Sequence, residues 1–140
     1  MSNFKYLDFL IHNGVKEIVL DSDIALDNGE ESEYKKGIKL DVDDLIIDGK
    51  GHSIDAQEKT RIFYCTGKNI TIKNITLKNG FIKGDGGAIL NEGELTIVDS
   101  KLIHNISVYD DETYSSRIHD GAIFNENKLT VTESTFEENG

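Results

Sequence analysis

Apolar and polar residues alternate in several short runs along the chain. Ile70 and Ile72 flank Thr71, Leu95 and Ile97 flank Thr96, and Leu129 and Val131 flank Thr130. A period of two belongs to a strand with one buried face. A helix would need apolar residues three and four apart, which these runs do not sustain. The intervening Thr positions suit the outer side of a pleated surface. No run is long enough to bury its apolar edge alone, so copies of it must supply the missing wall.

The copies are present. Residues 86–105 and 120–139 align without gaps at an offset of 34, sharing Gly-Ala-Ile-x-Asn, Leu-Thr-(Ile/Val), a Ser and a terminal Asn. Counting back 25 from Leu95 and Ile97 reaches Ile70 and Ile72, and another 25 reaches Leu45 and Ile47. The coil is therefore about 25 residues long, and the 34-residue step carries an insertion within Ile106–His119. Stacked parallel strands satisfy such a period, because each coil lends its neighbour an apolar face and backbone partners. Asn79, Asn105 and Asn139 close one kind of segment, and Asn91 and Asn125 close the Gly-Ala-Ile pieces. Asn tolerates left-handed backbone angles, and stacked copies form amide ladders, so these five are expected to be structural turn and ladder residues.

The first coils are less regular. Ile18–Leu20, Ile24–Leu26, Ile38–Leu40 and Leu45–Ile47 read as strands, Asp48-Gly49-Lys50-Gly51 as a turn, and Glu30-Glu31-Ser32-Glu33 as an exposed loop. Ahead of them Phe4, Leu7, Leu10 and Ile11 sit at helical spacing. Ser2 is the expected N-cap and Gly14 the stop of a helix over 3–12. Its role would be to cover the open end of the solenoid. The organisation expected is a capping helix in residues 1–14 and coils in 15–140, the N-terminal part of a longer solenoid. No cap is visible at Asn139-Gly140, so end-to-end self-association through the last coil is expected.

Charge narrows the partners. Asp and Glu outnumber Lys and Arg by 26 to 15, a formal charge of −11, which argues against nucleic acid phosphates and anionic lipid. No apolar run approaches a membrane span, and the N-terminus has neither the basic nor the long apolar region of a secretory signal. Cys65, the one cysteine, lies in an apolar run and reads as a small buried hydrophobe.

Two features carry a family resemblance. Gly86-Gly87-Ala88-Ile89 with Leu102-Ile103-His104-Asn105, and Phe136-Glu137-Glu138-Asn139, resemble the repeat of the polymorphic outer membrane proteins and related adhesins. This chain departs from that repeat at Asp120, in place of the first Gly, and at Leu102, in place of Phe. The stretch Leu45 to Ala56, followed by Arg61-Ile62-Phe63 and Asn69 to Asn74, is similar to the opening coils of adhesin-like surface proteins of methanogenic archaea. The resemblance implies an all-β, right-handed, pectate-lyase-like parallel β-helix, a secreted or cell-surface parent, and an adhesive role with a glycan or a surface protein as partner.

Catalysis has to be weighed, since glycan-cleaving enzymes share this architecture and fold alone does not decide function. Glycoside hydrolysis uses two carboxylates across a cleft. Asp43-Asp44 and Asp110-Asp111 are the obvious pairs, but the polygalacturonase motifs are not assembled; Gly51-His52-Ser53 matches one of them in part. Neither arginine, Arg61 or Arg117, lies in a lyase-like motif. The expectation is a non-catalytic module; the alternative is a fragment of a carbohydrate-active enzyme whose catalytic coils lie elsewhere. No cofactor is expected. Calcium suits carboxylates and turn carbonyls, but no calcium-binding repeat supports it, and His52, His104 and His119 lack zinc-ligand spacing. Asn69, Asn74 and Asn105 head glycosylation triplets that overlap the structural pattern. The insertion is the expected contact loop, with Tyr109 and Tyr114 to stack on a sugar ring and Asp110, Asp111 and Arg117 to bond its hydroxyls.

Overall fold

In the computed structural model, residues 2–108 and 121–140 are described. One helix, α1 (Phe4–Ile11), precedes the coils. The first coil contributes β1 (Glu17–Val19), β2 (Ile24–Ala25) and β3 (Ile38–Leu40). The second contributes β4 (Ile46–Asp48), β5 (Ser53–Asp55) and β6 (Phe63–Cys65). The third contributes β7 (Ile70–Lys73), β8 (Thr76–Lys78), β9 (Phe81–Lys83) and β10 (Ile89–Asn91). The fourth contributes β11 (Glu94–Val98), β12 (Lys101–Ile103), β13 (Ile106–Val108) and β14 (Ile123–Asn125), and β15 (Lys128–Thr132) and β16 (Thr135–Glu137) follow.

Strands from successive coils pair in parallel and in register. One sheet runs β1-β4-β7-β11-β15, a second β2-β5-β8-β12-β16, a third β3-β6-β10-β14, and β9 pairs with β13 alone. The chain is thus an all-β parallel β-helix with an N-terminal helix. The repeat register holds: Leu95 lies between Ile70 and Leu129, and Ile97 between Ile72 and Val131. The inward column of the second sheet is Ile24, Ile54, Leu77, Leu102 and Phe136. Ile24, Ile54, Leu77 and Leu102 of this column are buried, whereas Phe136 on the end strand is exposed.

Corners repeat as faithfully as strands. Asn74, Asp99 and Glu133 turn the chain from the first sheet into the second, at φ of 53°, 50° and 49°. Asn79, His104 and Glu138 make the next corner at 59°, 55° and 56°. This corrects the expected ladder: Asn79 stands over His104, whereas Asn105 and Asn139 stand over Gly80. Elsewhere a side chain is excluded by close stacking. A Cβ on Gly93 would meet the carbonyl oxygen of Gly67, and one on Gly67 would meet that of Val42.

The helix caps differently from expectation. Asn3, not Ser2, is the N-cap, its Oδ1 accepting from the Tyr6 N–H at 2.9 Å, and His12 follows as C-cap. Phe4, Leu7 and Ile11 join the core, and α1 packs on β2 and β3, end strands of their sheets. The acidic loop is not wholly exposed either. Glu30 is buried, and its carboxylate accepts from the N–H groups of Phe4 at 3.2 Å, Lys5 at 2.8 Å and Asp27 at 2.8 Å. A carboxylate satisfies the free donors of a helix N-terminus and complements its dipole, which makes burial of this charge tolerable. Tyr34 closes the same loop, donating from its hydroxyl to Asp8 at 2.7 Å and packing edge-on to Phe4.

Candidate functional site

Stacking gathers lysines from successive coils at one corner. Lys35, Lys59 and Lys83 are each separated by 24 residues. Lys35 and Lys36 lie on the loop before β3, Lys59 on the turn before β6, and Lys83 ends β9. Backbone bonds tie the three coils together at this corner: Arg61 N–H donates to the Lys35 carbonyl at 3.4 Å, and Phe81 N–H to that of Thr60 at 2.8 Å. The four lysines surround a concavity of about 400 Å³ floored by Phe81 and Ile82, with Glu31 on its rim. In a chain of net charge −11 this is a local inversion of sign.

Arg61 braces the pocket from behind. Its guanidinium is buried and donates to three carbonyls, those of Gly86 at 3.0 Å, Lys36 at 3.1 Å and Asp85 at 2.6 Å. Burial pulls its pKa below the ordinary value, an effect partly offset by the nearby Asp85 carboxylate. A guanidinium fixed in this way holds the lysine loop against the third coil and presents no free nitrogen as a proton acceptor.

A second surface lies on the outer side of the third sheet, where Lys39, Tyr64, Leu90 and Phe124 align. Tyr64 donates to Glu92 at 2.6 Å, and that hydrogen bond raises the phenol pKa. Glu126 lies beside Glu92, and the two acidic side chains together raise the Glu126 carboxyl above the usual range.

The expected contact residues Tyr109, Asp110, Asp111, Tyr114 and Arg117, together with His119, lie outside the described residues. Asp43 and Asp44 do not face a cleft: Asp43 accepts from the Lys68 N–H at 2.9 Å and Asp44 from the Asn69 amide at 2.9 Å. His52 meets Asp23 at 3.2 Å and His104 meets Glu58 at 3.1 Å, and among the described residues neither belongs to a group of three or more potential metal ligands. Asn91 donates to the Asn125 side chain at 2.8 Å, and Asn105 to the Asn139 side chain at 3.1 Å. Asn105 is fully buried, which closes that glycosylation triplet to an enzyme. Burial pushes the Cys65 thiol up to about 11, so it stays protonated at neutral pH.

A family model described as a pectate lyase-like adhesive domain matches residues 6–139. The chain belongs to this family. The pectate lyase-like adhesive domain thus accounts for all the coils and most of α1. No curated protein and no solved structure matches the chain significantly. Among the described residues, no helix is long and apolar enough to cross a membrane. Sequence reading missed the lysine cluster because its members share no coil register and meet only when the coils are stacked.

Proposed function

We propose that this chain is a non-catalytic, adhesin-like module of a cell-surface protein, presenting a rigid lateral surface to glycans or surface proteins. The observation that carries the reading is the adhesive-domain match across residues 6–139. The fold supports it physically. Outward residues recur at the strand spacing of about 4.8 Å, as in the row Thr71, Thr96 and Thr130, and register locks them against relative movement. A preorganised array binds without the ordering cost of a flexible loop. Residues 1–14 serve in this reading as the cap and residues 15–140 as the display surface.

The test is a glycan array together with binding of fluorescently labelled protein to intact cells. Retention on a defined set of glycans or on cells, without change in the glycan's chain length, is the expected result. Shortening of a bound polysaccharide would overturn the non-catalytic reading. Failure to bind any glycan or cell would reduce the module to a spacer.

A further inference from the structure

We infer that the pocket formed by Lys35, Lys36, Lys59 and Phe81 is a binding site for an acidic glycan, a linear sugar chain bearing carboxylates or sulfate esters. The inference rests on the adhesin reading and names its ligand class. Three observations converge. The lysines come from two successive coils, Lys35 and Lys36 from the first and Lys59 from the second, so the positive charge is gathered from both onto one concavity. The floor is apolar, with Phe81 partly exposed and Ile82 buried, while lysines line the rest of it. The cavity, about 400 Å³, falls in the range of small-ligand sites.

A pyranose ring matches that layout, with an apolar face to lie on an aromatic ring and charged substituents at its edge. An acidic peptide offers the charge but not the flat apolar face, and it loses more freedom on binding. The overall negative charge does not forbid an anion here. At about 0.1 M salt, charges beyond about 10 Å are screened, whereas ammonium groups in contact with the ligand are not. Glu31 on the rim opposes the ligand and sets a lower limit on how many anionic groups must be engaged.

The experiment is titration calorimetry with an oligouronate, a sulfated oligosaccharide of equal length, a neutral oligosaccharide and an acidic peptide of equal charge. We expect one or both anionic sugars to bind, with affinity falling as salt rises, and the stronger of them to identify the charged group. The double variant Lys35→Ala/Lys59→Ala should weaken binding about tenfold or more, and Phe81→Ala by a similar factor. Lys68→Ala/Lys128→Ala, which removes the same charge outside the pocket, should leave binding within about twofold. Thermal melts confirm that each variant folds. The site assignment is overturned if the neutral sugar or the peptide binds as well as the anionic sugar, or if both lysine pairs weaken binding equally. If glycan or cell binding survives in Lys35→Ala/Lys59→Ala at full strength, the adhesin reading stands and this pocket falls. If nothing binds in either assay, both fall.

Discussion

At the N-terminal end, Phe4, Leu7 and Ile11 of α1 are buried against the first coil, and Ile24 beneath them is 1% exposed. At the other end Phe136 stands 46% exposed, although Leu102, its neighbour in the same column, is fully buried. Leu129 and Val131 are likewise only partly covered, while Leu95 and Ile97 one coil earlier are buried. The residue types are equivalent; the neighbours are not. In a solenoid, burial belongs to the interface between coils, and stability sums over such interfaces. The partly covered Ile123 and Leu129 and the exposed Phe136 line a concavity of about 470 Å³ at that end.

The sharpest way to break this comparison is to truncate one column at two heights. Leu102→Ala should cost about 3 kcal/mol, transfer and cavity contributions together, whereas Phe136→Ala should cost less than about 1 kcal/mol. Urea unfolding midpoints measure both, and equal losses would show that position in the stack does not govern burial energy. A smaller effect probes the sealed end. Glu30→Ala removes the acceptor for three backbone donors and should cost about 1–2 kcal/mol. Hydrogen exchange should then speed up in α1 and the first coil and stay unchanged in the last coils; uniform acceleration would mean that the cap and the stack unfold as one.

The smallest effect is a pH dependence confined to the sealed end. Partial burial of His12 opposes its charged form, yet hydrogen bonds to Asp41 at 2.6 Å and to the Asp8 carbonyl raise its pKa above 6.5. A raised folded-state pKa contributes stability that is full below the unfolded value and is lost as pH rises through the folded one. Wild-type protein should therefore lose a little stability as pH rises above the ordinary histidine value of about 6.5, and His12→Gln should lose none. A steeper loss in the variant would assign the dependence to another group.

The parts of this fold that could be read from sequence are those where one residue type is forced. Inward positions of the first sheet are apolar in every coil, so Leu95, Ile97, Leu129 and Val131 announce their register. The helix was legible because Phe4, Leu7 and Ile11 must share a face. Corners were harder: the left-handed position at the end of the second sheet accepts Asn79, His104 and Glu138 alike, and aligning by Asn alone displaced the ladder by one residue. The first coils were obscured by uneven length, with Ile18 paired to Ile47 and Ile24 to Ile54 at steps of 29 and 30. Glu30 was misread because its burial depends on a helix N-terminus distant in sequence. The lysine pocket was hidden for a related reason, since outward charges carry no periodic constraint and gain meaning only when coils are stacked.

The direction of the inter-coil hydrogen bonds has a mechanical consequence. They run along the long axis of the molecule, so a load pulling its two ends apart stretches them one layer at a time, and the rod peels from whichever end is least covered. A load applied sideways, along the strands, strains many of them together. An adhesive built in this way holds best when its cargo tugs across the rod, where the lateral faces lie.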